Sequence, residues 1–162
     1  MIELDVTDAD EMTALGRRLA TGLSAGDLVL LGGDLGAGKT TLAQGVGAGL
    51  GVRGPITSPT FVIARVHPSL VGGPPLVHVD AYRLGGWDEL EDLDLEATLD
   101  EAVTLVEWGE GVAEGLAGDR LEIHIDRARG GGDDADLRHV RIRAVGSRWD
   151  ERELRQVTGQ VA

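Results

Sequence analysis

The chain has 162 residues, 42% of them hydrophobic, which suffices for one buried core at about 100–200 residues per domain. Aromatics make up only 3%, so aliphatic side chains must fill that core, and the absence of cysteine excludes disulfides, Cys-ligated zinc, iron–sulfur clusters and thiol nucleophiles. With 28 acidic against 15 basic residues the net charge is −13, which argues against a direct grip on a nucleic-acid backbone, because that needs clustered Lys and Arg.

Residues 8–23 read as an amphipathic helix: Met12, Leu15, Leu19 and Leu23 recur at helical spacing, and Asp8, Asp10 and Glu11 favour its N-terminal dipole. Leu28-Val29-Leu30-Leu31 is a continuous apolar run, as expected of a strand buried on both faces. A Gly-rich turn and a helix from Lys39 to about Leu50 follow, weakened by Gly45, Gly47 and Gly49. Residues 61–66 are β-rich, and 68–75, with three Pro and two Gly, form a loop. Two strands, 76–80 and 103–107, each end in a carboxylate, with one or two short acidic helices between them at 87–101. Residues 110–117 are expected to form a short helix. Residues 121–125 and 140–145 alternate like a late hairpin around the glycine turn 130–134, and a surface helix and tail close the chain over 148–162. Alternating strands and helices, with no repeat or long linker, predict a single α/β domain over 1–162 with a mainly parallel sheet.

Two compositional biases are local. Residues 84–119 hold 12 acidic side chains and no basic one, leaving 16 acidic and 15 basic residues elsewhere; a solvated face is the simpler reading, docking on a basic partner the other. Fourteen of the fifteen basic residues are Arg, and the one lysine is Lys39.

That lysine sits in Gly33-Asp34-Leu35-Gly36-Ala37-Gly38-Lys39-Thr40, a full match to G-x-x-x-x-G-K-[ST] between an apolar strand and a helix. Such a loop turns successive N–H groups into one concavity at a helix N-terminus, where phosphates bind. Lys39 reaches the β- and γ-phosphates as a compact ammonium that Arg replaces poorly. The Thr40 hydroxyl is placed for Mg²⁺, and Thr41 for the α-phosphate. Codon bias can exchange surface lysines for arginine; at position 39 it cannot do so without loss of the phosphate site.

Phosphoryl chemistry also needs support for Mg²⁺ and a group that positions the attacking water. Asp80 and Glu107 end apolar strands, and ligands of open α/β sheets lie beyond the carboxyl ends of strands. One should support the ion and the other the water; spacing does not say which. Thr60, in Ser58-Pro59-Thr60, is the candidate γ-phosphate sensor, and Arg83 is better read as an ion-pair partner than as a catalytic cation. Trp108 either packs near the site or faces a partner. His78 is read as a satisfied core histidine, and His67, His124 and His139 are too scattered for a metal cluster. Guanine selection by N-K-x-D is impossible without Asn, so ATP is preferred.

The ordered set Gly33–Thr41, Ser58-Pro59-Thr60, His78-Val79-Asp80-Ala81-Tyr82-Arg83-Leu84 and Leu105-Val106-Glu107-Trp108 resembles the TsaE (YjeE) family of bacterial tRNA threonylcarbamoyladenosine biosynthesis. The Thr13-Ala14-Leu15-Gly16 helix and Glu122-Ile123-His124-Ile125 extend the likeness over nearly the whole chain. The resemblance implies a P-loop NTPase fold with helices on both faces of the sheet. It implies ATP held by Gly33, Leu35, Gly36, Ala37, Gly38, Lys39, Thr40 and Thr41 with Trp108 close by, and Mg²⁺ held by Thr40 and Glu107. It assigns Asp80 as the catalytic carboxylate, aided by Lys39 and by Thr60 in a switch-like loop. It further implies weak ATPase activity alone, the partner proteins TsaD and TsaB, and contact with tRNA only through them. Gly109 departs from the family, many of whose members have Pro there. The competing reading on the same scaffold is a small-molecule kinase, which needs an Arg-rich lid that 84–119 does not offer. No run of about 20 apolar residues and no basic, apolar N-terminus is present, so a cytoplasmic protein without a membrane span is expected.

Overall fold

A computed structural model describes residues 1–57, 64–82, 84, 87–128, 132 and 136–160. Its strands are β1 (Ile2–Val6), β2 (Leu28–Gly32), β3 (Ala64–His67), β4 (Leu76–Asp80), β5 (Val103–Glu107), β6 (Arg120–Arg127) and β7 (Arg138–Val145), and its helices α1 (Ala9–Ala20), α2 (Lys39–Leu50), α3 (Trp87–Glu91) and α4 (Glu151–Thr158). The strands form one sheet in the order β1-β7-β6-β2-β5-β4-β3. The four central strands β6, β2, β5 and β4 run parallel, and β1, β7 and β3 pair antiparallel at the flanks. The expected mainly parallel centre and late hairpin are both present.

Side-chain alternation splits the core in two. Val29, Leu31, Leu105, Leu121, Ile123 and Ile125 point to one face, where Met12, Leu15 and Leu19 of α1, Leu42 and Val46 of α2, and Leu154 of α4 cover them. Leu28, Leu30, Val77, Val79 and Val106 point to the other, under Leu90 and Leu95 of the acidic segment. Helices therefore cover both faces of the central strands, which is why those strands read as unbroken apolar runs. Towards β7 and β1 the second face lies open, and the odd–even pattern of β6 becomes buried and half-exposed in turn. Its outward positions carry an ion-pair ladder: Glu122 meets Arg120 and Arg143, and Asp126 meets Arg141 and His124. Burial opposes the charge on Glu122, but hydrogen bonds from Arg143 and Arg120 outweigh it and hold the carboxyl below its ordinary value of 4.5. A lowered folded pKa means the unfolded chain binds more protons, so this stabilisation exists near neutrality and is lost as pH falls through the folded pKa. In urea titrations Glu122→Gln is therefore less stable than the parent at pH 7, and the gap closes below about pH 4.5.

Two local expectations need correction, and one strand was not expected. Ile2-Glu3-Leu4-Asp5-Val6 is a strand, with Ile2 and Val6 buried and paired with β7. Residues 110–117 form only a 3-10 turn at Glu114–Leu116, because Gly111 takes a φ of 77° that a helix cannot contain. Helix α1 is N-capped by Asp8, whose side chain accepts the Glu11 N–H at 2.8 Å, and it stops at Ala20, where the C-cap Thr21 N–H turns back to the Arg18 carbonyl. The β-rich segment 61–66 enters the described residues at Ala64.

The glycines of α2 have a packing reason. A Cβ on Gly45 would drive into the Thr13 carbonyl, and one on Gly16 into the Leu42 carbonyl, so α1 and α2 cross backbone to backbone. Helix propensity alone credits Gly45→Ala with about 1 kcal/mol. Overpacking reverses the sign: Gly45→Ala is expected to lose about 1–3 kcal/mol. Thermal unfolding followed by circular dichroism checks this as a Tm several degrees lower.

Candidate functional site

The loop between β2 and α2 closes through three glycines in left-handed conformations: Gly33 at φ 134°, Gly36 at 77° and Gly38 at 115°. At Gly33 any Cβ would strike the Ile125 carbonyl of β6. Arg138 of β7 donates from Nε to the Ala37 carbonyl at 3.0 Å and ties the loop to the far strand. The loop leads into α2, whose first residue is Lys39, so free N–H groups and the helix dipole face one cavity.

That cavity, of about 250 Å³, is lined by Leu35, Gly36, Gly38, Lys39, Thr40, Thr41, Asp80, Tyr82, Glu107 and Trp108. Asp80 and Glu107 meet there because β4 and β5 are parallel and their last residues are in register. A second hollow of about 140 Å³ adjoins it, sharing Gly36, Gly38 and Thr41 and bounded by Asp8, Met12, Asp136 and Arg138. The two together give the loop room on both sides.

Lys39 is buried, with 5% of its surface exposed. Its Nζ donates to the Gly33 carbonyl at 2.6 Å and the Asp34 carbonyl at 2.8 Å and lies 4.1 Å from the centroid of the Trp108 ring. Desolvation lowers its pKa below the ordinary 10.5, and the nearby carboxylates of Glu107, Asp34 and Asp80 pull the other way. Trp108 reaches this place through a backbone φ of 61°, rare for a large residue, pinned by its N–H to the Leu31 carbonyl at 2.8 Å. Tyr82 packs against Trp108 with ring centroids 5.0 Å apart.

Glu107 is 3% exposed, and its two oxygens have separate partners. Oε1 accepts from the Thr40 hydroxyl at 3.2 Å, and Oε2 lies 2.5 Å from His78 Nε2. Asp80, half-buried, accepts the Tyr82 N–H at Oδ1 at 3.0 Å. Thr40 and Glu107 thus present two hard oxygen donors side by side, beside the space where phosphates would lie. This suits Mg²⁺, which takes one or two protein ligands and completes its shell with phosphate oxygens and water. Among the described residues no three His, Asp or Glu side chains form a further metal cluster. Thr60 and Arg83 lie outside the described residues.

Of the remaining site candidates, Leu35, Gly36, Gly38, Lys39, Thr40, Thr41, Asp80, Glu107 and Trp108 line the first cavity, Ala37 lines the adjoining hollow, and Gly33 lies in the same loop with its carbonyl on Lys39. Tyr82 lines the cavity although the sequence singled it out only within the motif His78–Leu84. Arg138, which the sequence left in doubt beside the acidic insertion, reaches the loop through the β6–β7 pairing. His78 is a buried, hydrogen-bonded core residue as expected, and its spacing of two from Asp80 also puts it on the strand face of the site.

A cavity at the carboxyl ends of parallel strands, beside a glycine loop that opens a helix, defines a P-loop NTPase fold. The solved structure of YdiB from Bacillus subtilis superposes with a TM-score of 0.75 at 33% identity, over 98% of this chain and 94% of that one. The family model described as threonylcarbamoyl adenosine biosynthesis protein TsaE matches residues 6–134. A Streptomyces coelicolor protein named tRNA threonylcarbamoyladenosine biosynthesis protein TsaE is 63% identical over 91% of this chain and 100% of its own length. Proteins of the same name from Mycobacterium bovis and Bacillus subtilis are 50% and 41% identical, over 73% and 87% of this chain and 74% and 84% of theirs. The chain belongs to the TsaE family.

Proposed function

We propose that this protein binds and hydrolyses Mg²⁺–ATP and thereby supports formation of N6-threonylcarbamoyladenosine at position 37 of tRNA, acting through a TsaD–TsaB complex. The observation that carries the reading is the convergence of Lys39, Thr40, Asp80 and Glu107 in one cavity of a TsaE-family chain. The names of its relatives place them in that tRNA modification.

In this mechanism the loop amides of Gly36 to Thr41 cradle the phosphates. Lys39 exchanges two backbone carbonyls for β- and γ-phosphate oxygens, so its ammonium is held in place before the nucleotide arrives. Thr40 and Glu107 hold the magnesium ion, which when bound supplies charge neutralisation across the phosphates. Asp80 accepts a hydrogen bond from the attacking water and orients it towards the γ-phosphorus. Trp108 and Tyr82 wall the reacting end of the cavity against solvent. Thr60 is assigned to the loop that senses the γ-phosphate.

The charge of −13 fits action on RNA at second hand, through proteins. No helix among the described residues is long and apolar enough to cross a membrane, and we assign the protein to the cytoplasm, where tRNA is modified. The kinase reading lacks a basic lid in residues 84–119. Phosphate release measured beside transfer to a metabolite pool separates the two: release to water supports the ATPase, and partner-free phosphorylation of a metabolite overturns it.

A further inference from the structure

We propose that His78 is a positioning residue of the nucleotide site, holding one oxygen of Glu107 so that the other stays turned to Thr40 and to the ion of a bound nucleotide. The inference rests on the Mg²⁺–ATP reading above and adds to it the group that fixes the metal-binding carboxylate.

His78 lies in the middle of β4, opposite Leu105, while Asp80 lies opposite Glu107. Its neighbour on the same face of β5 is therefore Glu107 on the diagonal, a pairing that long side chains span. The imidazole is completely buried, and Nε2 approaches Glu107 Oε2 to 2.5 Å. An ionised carboxylate only accepts, so Nε2 carries the proton and donates. Among the described residues Nδ1 has no partner. Among the described residues the ring makes one polar contact, and that contact goes to the site.

An aliphatic side chain would suit the rest of this position better. Val77 and Val79 beside it and Leu105 opposite it are wholly apolar, and a buried polar ring costs stability unless it is satisfied. What the histidine supplies is orientation. Glu107 is buried with its oxygens divided between His78 and Thr40. Without the Nε2–H, Oε2 loses its donor and the carboxylate is free to turn away from the threonine hydroxyl. Groups that orient a metal ligand from behind are worth about 10–100-fold in metal affinity.

Two substitutions separate positioning from packing. In His78→Asn the amide is too short to reach Oε2; in His78→Gln the amide nitrogen lies near the place of Nε2. Equilibrium titrations with ATP in EDTA and across a Mg²⁺ series read the two contributions. The proposal expects His78→Asn to bind metal-free ATP within about threefold of the parent and to need about 10–100-fold more Mg²⁺ for half-maximal tightening, with His78→Gln restoring most of it. An unchanged Mg²⁺ midpoint in His78→Asn overturns it. So does a parallel loss of metal-free and Mg²⁺-dependent binding in both variants, which marks a purely structural histidine. A parent chain that binds no ATP overturns the proposed function itself, and this role with it. A readout on the unsubstituted protein does not depend on whether the variants fold. Nitrogen-15 spectra of the free protein should show a proton on His78 Nε2; a bare Nε2 contradicts the donation to Glu107.

Discussion

Asp80→Ala is expected to bind ATP within about threefold of the parent and to lose hydrolysis by on the order of 100-fold or more, the range that a positioned acid–base group contributes. Asp80 stands at the open end of β4, half-buried, in register with Glu107, and its backbone neighbour Tyr82 fixes the carboxylate through an N–H at Oδ1. The bonds that hold Lys39 come from the Gly33 and Asp34 carbonyls, so the phosphate cradle is expected to survive removal of Asp80. Single-turnover phosphate release and an independent binding isotherm measure the two effects apart. Normal hydrolysis by Asp80→Ala would remove it from the water-positioning role. Glu107, bound from both sides by His78 and Thr40, is not placed to take its part.

Lys39→Ala is expected to weaken ATP binding by on the order of 100-fold, because charge-assisted hydrogen bonds contribute about 1.5–3 kcal/mol each and tenfold in affinity is about 1.4 kcal/mol. The ammonium already occupies the site, bonded to the Gly33 and Asp34 carbonyls. Its removal therefore also leaves those carbonyls without a donor and loosens the empty loop. A pH series adds a signature. Burial lowers the pKa of Lys39 below 10.5, so the ammonium is lost earlier on the alkaline side than in an ordinary lysine. Phosphate affinity should fall as pH rises through that lowered value. Fold stability should move the other way, because between the two pKa values the unfolded chain carries the extra proton. Lys39→Ala should flatten both curves.

The legible parts of the fold were those where one signal acted alone. The apolar runs at 28–31, 76–80 and 103–107 had to be strands buried on both faces, and each is. The loop motif needed no partner to be recognised, since its glycines answer to backbone geometry within eight residues. Other features depended on tertiary neighbours. Ile2, Leu4 and Val6 are three apolar positions among acids, and only pairing with β7 makes them a strand. Gly45 looked like a weak helix residue until Thr13 of α1 was placed against it. His78 sat in an apolar run and so read as core, because strand register with β5, and not composition, sets its ring against Glu107. The division of labour between Asp80 and Glu107, which spacing left open, is proposed from the bond of the Thr40 hydroxyl to Glu107. The acidic segment 84–119 covers the second core with Leu90 and Leu95, and the carboxylates of its stretch 88–101 are exposed, while Glu107 is buried at the site.

We propose that the cavity hydrolyses ATP in the service of a modification complex. The decisive measurement is phosphate release by the purified chain in Mg²⁺–ATP, with and without TsaD and TsaB. Slow release is expected from the chain alone, a rise of at least tenfold with both partners, and no rise with Asp80→Ala. Release that ignores the partners, or a partner-dependent rise that survives in Asp80→Ala, would contradict it.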